Sequence, residues 1–265
     1  MANNKIITTT PTLTTSSNNT SDASGLYAST ATNSGKPTYY FRGNVTNNYV
    51  KFAGFIWRIV RINEDGTIRI IMQDGINNNN EYAFNPNCNN YTSMYYTNSN
   101  AKTQLESWYQ SNIGNNTNLA SKVVSGNYFC EQAKVAYNSI YASASRTDMT
   151  LPSYYMPNFK CTTDKNGKGV VNANIGLLTY DEVVYAGGAH LNSNNDYYLY
   201  NGMIYWTMSP AGFSGSLALE WRIIETGAVY NGDVNYARNL RPIIILSGDT
   251  MTVGNGTISN PFVIV

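Results

Sequence analysis

The clearest pattern in the chain is a period-two recurrence of apolar side chains that begins near Tyr49. Val50 and Phe52 start it, and two longer apolar runs follow over residues 55–62 and 67–72. The residues between those runs, Asn63-Glu64-Asp65-Gly66, contain an Asp-Gly pair, which is typical of tight turns between antiparallel strands. The pattern therefore predicts a β-hairpin.

A helical periodicity follows Asn100. Apolar side chains recur there at i, i+3, i+4 and i+8, which places them on one face of an α-helix. Asn100 itself is expected to cap the helix, because its side-chain oxygen can accept a hydrogen bond from an unpaired amide of the first turn. The preceding residues 77–100 are rich in Asn and Tyr without periodicity and are predicted to form an exposed loop. The apolar positions are Leu105, Trp108, Tyr109 and Ile113.

A capping signature marks a second, shorter helix. Thr179 and Glu182 have the spacing of a capping box, in which hydroxyl and carboxylate each accept a hydrogen bond from an otherwise unpaired amide. The helix is predicted to run through Ala186 and to end at Gly187-Gly188, because glycine adopts the left-handed conformation without steric cost. The apolar residues 175–178 in front of it predict a short buried strand.

The last third of the chain is rich in predicted strands, and their position sets the fold class. A further helix is expected over residues 131–139, before this part. A hairpin followed by helices and then by several strands indicates an α+β fold rather than alternating βαβ units. The late strands are predicted over residues 204–208, 217–225, 228–234 and 240–246.

Residues 1–37 differ from the rest because they are rich in Thr, Ser and Asn and poor in large apolar side chains. Such a composition is typical of a linker or stalk. Thr and Ile also favour strands, so the same tract could add a strand to an open sheet edge of a neighbour. We therefore divide the chain into an N-terminal extension over residues 1–37, a linker or docking strand, and one domain over residues 38–265.

The chain carries few charges. Charged residues make up 12% of the 265 residues, and 17 Lys+Arg against 16 Asp+Glu leave a formal net charge of +1. This balance provides no basic surface of the kind that binds nucleic acid, so we expect no nucleic-acid partner. No apolar run reaches the roughly 20 residues of a membrane span, so we expect no membrane insertion by this chain. Its polarity comes from Asn, Thr, Ser and 22 Tyr, which favours an extracellular location.

Side chains suited to catalysis are scarce. His190 is the only histidine, and its place in a polar loop predicts an exposed side chain without a catalytic role. Asp181 and Glu182 are explained by helix capping, and Glu64 and Asp65 by the hairpin turn. We therefore expect no enzyme activity, no catalytic residue and no cofactor.

The three cysteines and the clustered oxygen ligands leave alternatives open. Cys88, Cys130 and Cys161 show no CxxC motif or Cys/His cluster typical of zinc, and they permit either one disulfide with a free thiol or three reduced thiols. Calcium could bind at Asn194-Asn195-Asp196 or Asn231-Gly232-Asp233, although neither has the spacing of an EF-hand. We assign no metal site from these patterns.

Tyr and Asn are concentrated in two segments of the last third. Tyrosine supplies rigid amphipathic contact area and asparagine supplies adaptable hydrogen bonds, which is the composition of antibody binding sites. A surface with few charges also needs uncharged polar side chains, so solubility alone is a competing explanation. The hypothesis of a ligand-binding face rests on Asp196, Tyr197, Tyr198, Tyr200, Tyr230, Asn231, Asp233 and Tyr236.

A set of motifs in a fixed order spans about residues 25–247. The motifs are Phe55-Ile56-Trp57-Arg58-Ile59-Val60, Leu105-Glu106-Ser107-Trp108-Tyr109, Phe129-Cys130, Lys160-Cys161, Ile175-Gly176-Leu177-Leu178-Thr179-Tyr180-Asp181-Glu182 with Ala186-Gly187-Gly188, Tyr205-Trp206-Thr207-Met208-Ser209-Pro210 and Leu240-Arg241-Pro242-Ile243-Ile244. Together they resemble an uncharacterised family of bacterial surface domains with a C-type-lectin-like fold, distantly similar to the formylglycine-generating, sulfatase-modifying enzymes. The resemblance implies an α+β domain in which the first hairpin pairs with the last strand, two main helices flank an antiparallel sheet, and long loops form a variable face.

The resemblance also carries expectations about single residues. It implies a disulfide between Cys130 and Cys161, with Cys88 outside the pattern. It places Arg241 and Trp206 in the core. Enzyme activity does not carry over, because the sulfatase-modifying enzymes use cysteines in their C-terminal part and none follows Cys161 here. The histidine cluster of iron-dependent relatives and the Glu-Pro-Asn and Trp-Asn-Asp motifs of calcium-dependent lectins do not occur either.

These observations favour a non-catalytic extracellular binding module, an adhesin of a bacterial surface that recognises a glycan or protein ligand on a host or neighbouring cell. The alternative is a structural subunit of an extracellular filament or pilus-like assembly. In that case copies of the chain would exchange strands through the N-terminal tract or through residues 260–265.

Overall fold

The computed structural model describes residues 5–13, 22–131, 157–161, 169–214 and 216–264. These residues form a mixed fold that is rich in sheet and has few helices, compatible with the α+β prediction. Within the same ranges, no helix is long and apolar enough to cross a membrane. The helix predicted over residues 131–139 lies outside the described residues except for Glu131, which ends a strand.

The strands are β1 (Gly25–Ser29), β2 (Thr38–Arg42), β3 (Tyr49–Phe52), β4 (Phe55–Ile62), β5 (Ile68–Met72), β6 (Glu81–Ala83), β7 (Gly126–Glu131), β8 (Gly169–Ala173), β9 (Tyr205–Ser214), β10 (Leu217–Ile223), β11 (Val229–Asp233), β12 (Ala237–Asn239), β13 (Ile243–Leu246), β14 (Met251–Val253) and β15 (Phe262–Ile264). The helices are α1 (Ile76–Asn79), a single turn, α2 (Asn100–Tyr109), which a π-helical turn extends to Gly114, α3 (Thr117–Ala120) and α4 (Tyr180–Ala186).

The larger sheet is built around β4. On one side β4 pairs with β5 along its length, which confirms the predicted hairpin, and β5 pairs in turn with β13. On the other side β2 and β3 share the edge of β4. Beyond them, β1 pairs with β2, while β15 runs parallel to β3 and β14 pairs with β15. Pairing of the first hairpin with β13 agrees with the expectation from the family resemblance.

A second sheet has the order β11-β10-β9-β12-β6. β7 and β8 form a separate two-stranded antiparallel sheet. The strands predicted in the last third are all present, although β13 begins only at Ile243. The strand predicted over residues 175–178 does not form. The segment is buried, but it makes only one isolated β-bridge, between Gly176 and Ile243. The disulfide joins Cys130 of β7 to Cys161, with a Cα–Cα distance of 5.6 Å.

Both chain ends are tied to the larger sheet. Ile7 donates its backbone N–H to the carbonyl of Leu26 at 2.8 Å, and β1 itself lies within the tract 1–37 for which we predicted an extension. At the other end β15 pairs with β3 of the same chain. The two segments considered for strand exchange therefore have strand partners within their own chain.

Of the three predicted helices, the two that lie within the described residues form, with one correction. The apolar face of α2 is buried as expected, but the N-cap is Ser99, whose hydroxyl accepts from the amide of Lys102 at 3.0 Å. Asn100 is already helical and donates its side-chain amide to Ala83 O. In α4 the capping box of Thr179 and Glu182 is present, and Gly187 ends the helix at φ 121°.

The core contains tryptophans and buried arginines. Trp57 and Trp108 are 0% and 4% exposed, and Trp206 and Arg241 are each 1% exposed, as the family resemblance implies for the latter two. Arg42, Arg69 and Arg241 are equally buried, and each donates hydrogen bonds to backbone carbonyls, Arg42 to the last turn of α4 and Arg69 to the segment before α4. For example, Arg241 donates to Met72 O and Leu199 O at 3.1 and 2.6 Å. Buried guanidiniums thus satisfy carbonyl groups that would otherwise be costly in the interior.

Candidate binding surface

The first segment of the predicted binding face, residues 196–200, contributes mainly to the core. Tyr197 and Tyr198 are only 2% and 3% exposed, and the Tyr197 hydroxyl donates to Gly227 O at 2.9 Å. A ligand in solvent does not reach such side chains without repacking of the core. Asp196 is exposed and accepts from the side-chain amide of Asn44, and Tyr200 is half-buried. The surface contribution of this segment is therefore limited to these two residues.

The second segment does form a surface. Tyr230 and Tyr236 are 39% and 51% exposed, and Asn231 and Asp233 are half-buried. Tyr230, Asn231 and Asp233 lie on β11, which is an edge strand of the second sheet, and Tyr236 follows in a turn closed by its amide and Asp233 O at 3.1 Å. The structure thus brings together four of the eight predicted residues on one edge.

Two arginines that the sequence did not single out lie beside these tyrosines. Arg222 of β10 is aligned with Tyr230 of β11, and its guanidinium carbon is 5.9 Å from the ring centroid of Trp206 on β9. The guanidinium carbon of Arg238 on β12 is 5.6 Å from the ring centroid of Tyr236. We call Arg222, Tyr230, Tyr236 and Arg238 the arginine–tyrosine face. These residues come together through the pairing of strands, so no single position in the sequence indicates the face.

Among the described residues, no carboxylate lies within ion-pair distance of either guanidinium of this face. Nε and Nη1 of Arg222 and Nε of Arg238 are buried atoms without a hydrogen-bond partner in that part of the chain, while Nη1 of Arg238 donates to Ala237 O at 2.6 Å. Burial lowers the pKa of Arg222, as does the nearby Arg238, whereas Asp233 and Glu225 raise it. Two neighbouring half-buried guanidiniums are an arrangement that can bind an anionic group.

His190 corrects an expectation. It was predicted to be exposed, yet it is 8% exposed and its ring packs edge-on against Trp221 with the centroids 5.0 Å apart. Burial lowers the pKa of His190, which favours the neutral ring at neutral pH. The side chain is therefore a packing element between the helix-ending glycines and β10.

The first of the two oxygen clusters considered for calcium, Asn194-Asn195-Asp196, is engaged in local contacts. Asn194 is 4% exposed, its side-chain oxygen accepts from the Asp196 amide, and its nitrogen donates to Gly187 O, both at 2.9 Å. No group of three or more His, Cys, Asp or Glu side chains that could hold a metal ion occurs within the described part of the chain. The side chain of Asn194 therefore has a structural role in this loop.

A pair of acids is buried between the second sheet and the β7–β8 sheet. Glu131 and Glu220 are both 0% exposed. Glu131 accepts from the amide of Thr97 at 3.2 Å and from its hydroxyl, whereas neither oxygen of Glu220 has a partner among the described residues. Burial, reinforced by Glu131, raises the pKa of Glu220 well above its ordinary value. Neither acid lines the cavities of about 30, 210 and 490 Å³ among the described residues.

Replacing Glu220 with Met is expected to raise the free energy of unfolding near pH 7 by about 1–3 kcal/mol, because an unpartnered buried polar group is removed. The folded protein holds a proton on Glu220 that the unfolded chain releases above the ordinary pKa of 4.5. Wild-type stability therefore falls as the pH rises above that value, and Glu220→Met should lack this slope. Urea unfolding between about pH 5 and 8 measures both effects. The exposed Glu225→Gln serves as control, and an unchanged slope in Glu220→Met would contradict the argument.

Comparisons of the chain with protein-family models, with curated proteins and with solved structures find no match. The resemblance to bacterial surface domains therefore rests on the sequence motifs. The function has to be inferred from the chemistry of the surfaces described above.

Proposed function

We propose that this chain is a non-catalytic extracellular binding module of a bacterial surface and that it binds its ligand through the arginine–tyrosine face. The observation that carries this proposal is a pair of half-buried guanidiniums that have no ion-pair partner among the described residues and lie beside the two exposed tyrosines. Arginine forms strong charge-assisted hydrogen bonds with acidic groups, and tyrosine adds contact area at low entropic cost. The expected ligand is a glycan or protein, on a host or neighbouring cell, that presents acidic groups on its surface.

Two further features support an extracellular module. The Cys130–Cys161 disulfide is typical of oxidising compartments. The ordered motifs resemble the C-type-lectin-like surface domains, and we propose that fold for the domain; a sheet-rich fold with a hairpin paired to a late strand is compatible with it. A fold does not define a ligand, so the proposal depends on the exposed face.

The proposal is tested on glycan and host-protein arrays at about 50 and 300 mM NaCl, because charge-assisted binding weakens with salt. We expect binding to sulfated or carboxylated glycans, or to acidic proteins, that decreases at the higher salt concentration. In the double variant Arg222→Gln and Arg238→Gln the affinity should fall by about tenfold or more. Tyr236→Ser should weaken binding as well, whereas Lys51→Gln, which removes an exposed cation on β3, should not.

Circular dichroism establishes that each variant is folded. Folded wild-type protein that binds no array member would refute the proposal. Binding that is equally strong in the double arginine variant would also refute it, because the ligand would then use another surface.

A filament subunit is the second candidate function. It is favoured by apolar side chains at one edge of the larger sheet, where β14 is the last strand and Val253 and Ile258 are 60% and 59% exposed. Electron microscopy and light scattering of the non-reduced protein at several concentrations test this candidate. Regular fibres would support it, and a monodisperse monomer would exclude it.

A further inference from the structure

A groove of about 490 Å³ is lined by none of the residues of the arginine–tyrosine face. It is bounded by the start of β4, the segment that follows β5, and the C-terminal end of α2 with the turn after it. Its volume is within the range of pockets that bind small molecules, about 300–1,000 Å³. We call it the asparagine groove, after Asn77, Asn78 and Asn79 on its rim.

The floor of the asparagine groove is apolar and aromatic. Phe55 and Trp108 line it, with ring centroids 5.1 Å apart, and Trp57 packs behind Trp108 at 6.2 Å. Phe55 is half-buried, while α2 and β4 hold the tryptophans in the core. Ile56 and Met72 complete the apolar part of the lining. The floor is therefore rigid before any ligand arrives.

The rim of the groove is held in a costly backbone conformation. Asn77, Asn78 and Asn79 have φ values of 51°, 59° and 64°, three successive left-handed residues. Asparagine tolerates this region better than most residues, but a run of three is unusual, and such strain is concentrated at functional sites. Hydrogen bonds fix both ends of the turn, from Asn77 Nδ2 to the Tyr82 hydroxyl at 2.9 Å and from Gly75 N to Asn79 Oδ1 at 2.6 Å.

These two hydrogen bonds do not involve Asn78, the residue in the middle of the turn. Asn78 is exposed, lines the groove and makes no side-chain hydrogen bond among the described residues. Asp74 is likewise exposed at the rim, without an ion pair or hydrogen-bond partner in that part of the chain. The oxygen of Asn112 adds a further acceptor, because its nitrogen donates to Trp108 O at 2.8 Å. Free acceptors thus face an apolar floor.

The charges of the lining select the ligand. Asp74 is a carboxylate, and no Lys or Arg is among the lining residues. An anionic ligand would be repelled, whereas hydroxyl groups can donate to the carboxylate and to amide oxygens. A ring that presents hydroxyls at its edge and C–H groups on its face fits both parts of the lining. We infer that the asparagine groove is a second binding site and that it takes a neutral sugar ring of a glycan.

The inference is tested with four neutral disaccharides, maltose, cellobiose, lactose and N,N′-diacetylchitobiose, by saturation-transfer NMR on the full chain. We expect saturation transfer to at least one of them. For that sugar, Asp74→Asn should raise Kd by about tenfold, because a charge-assisted hydrogen bond is lost. Asn78→Gly should raise Kd by a smaller factor without loss of folding, because glycine keeps the left-handed conformation. Asp249→Asn, an exposed acid outside the groove, is the matched control and should leave Kd unchanged.

The site is independent of the proposed function, so the double arginine variant should bind the disaccharide as well as wild type does. The inference is overturned if no disaccharide receives saturation, or if Kd is the same in Asp74→Asn, Asn78→Gly and wild type. It is also overturned if short neutral peptides bind with the same dependence on Asp74 while the sugars do not.

Discussion

Replacing Glu182 with Gln is expected to lower the free energy of unfolding by about 3–5 kcal/mol, the usual cost of breaking a buried ion pair from one side. The Glu182 side chain is 2% exposed, and its Oε1 lies 2.6 Å from Arg69 Nε and 3.2 Å from Arg61 Nε. Its Oε2 accepts from Arg69 Nη2 at 3.2 Å and from Thr179 N at 2.9 Å. The Arg69 Nε contact lacks hydrogen-bond geometry and acts through charge. Gln would leave the buried Arg69 without its counter-ion.

The same ion pair predicts a pH dependence. Burial by itself would raise the pKa of Glu182, but Arg69, Arg61 and the Thr179 amide together lower it below the ordinary value of 4.5. A carboxyl group with a lowered pKa stabilises the fold above its unfolded pKa, and this contribution is lost as the pH falls through the folded value. Wild-type stability should therefore decrease below about pH 4.5, and Glu182→Gln should lack this part of the decrease.

Glu106→Gln is the matched control for both effects. Glu106 pairs with Lys102 one turn earlier in α2, but its side chain is 45% exposed, so its loss should cost less than about 0.5 kcal/mol. Urea unfolding near pH 7 and near pH 4 measures the three proteins. Equal losses in Glu182→Gln and Glu106→Gln would show that the buried cluster does not stabilise the fold.

Removing the disulfide should lower the free energy of unfolding by about 3–4 kcal/mol, because the unfolded chain regains the freedom of a long loop. The bonded cysteines are separated by 31 positions in the sequence. The bond also retains a packed segment, in which Phe159 stacks on Tyr185 with centroids 4.0 Å apart and donates its amide to Ala31 O at 2.8 Å.

The experiment uses the double variant Cys130→Ser and Cys161→Ser, so that neither thiol remains to pair with Cys88. Urea unfolding with and without dithiothreitol should show a loss on reduction in wild type and none in the double variant. Cys88→Ser is the control, because Cys88 is buried and outside the disulfide. Like wild type, this variant should lose stability when dithiothreitol reduces the disulfide. A reduced wild type that is as stable as the oxidised protein would contradict the prediction.

The predictions that succeeded from sequence concern neighbours along the chain. The β4–β5 hairpin follows from an Asp-Gly turn between period-two runs, and the buried face of α2 follows from a 3.6-residue period. The capping box of α4 needs only the spacing of Thr179 and Glu182. The Cys130–Cys161 pairing was implied by the family resemblance, since spacing alone left three free thiols as an alternative.

Errors and omissions arose where partners are far apart in sequence. Asn100 and Ser99 are both good caps, and the choice between them depends on Ala83, which accepts from the Asn100 side chain. The Tyr/Asn segments look alike in composition, yet Tyr197 is buried because its hydroxyl reaches Gly227 O, whereas Tyr230 lies on an edge strand. Composition indicates which side chains are able to bind a ligand. Burial determines whether a ligand in solvent can reach them.

The local elements, the low charge and the scarcity of catalytic side chains can be read from the sequence, because each depends on composition or on residues within a few positions. The arginine–tyrosine face, the asparagine groove and the buried Glu131–Glu220 pair become visible only in the folded chain. Arg222 and Arg238 are on separate strands, and Asp74 meets Trp108 only after α2 packs near β4. Such sites are created by strand register and helix packing, which bring distant residues into contact.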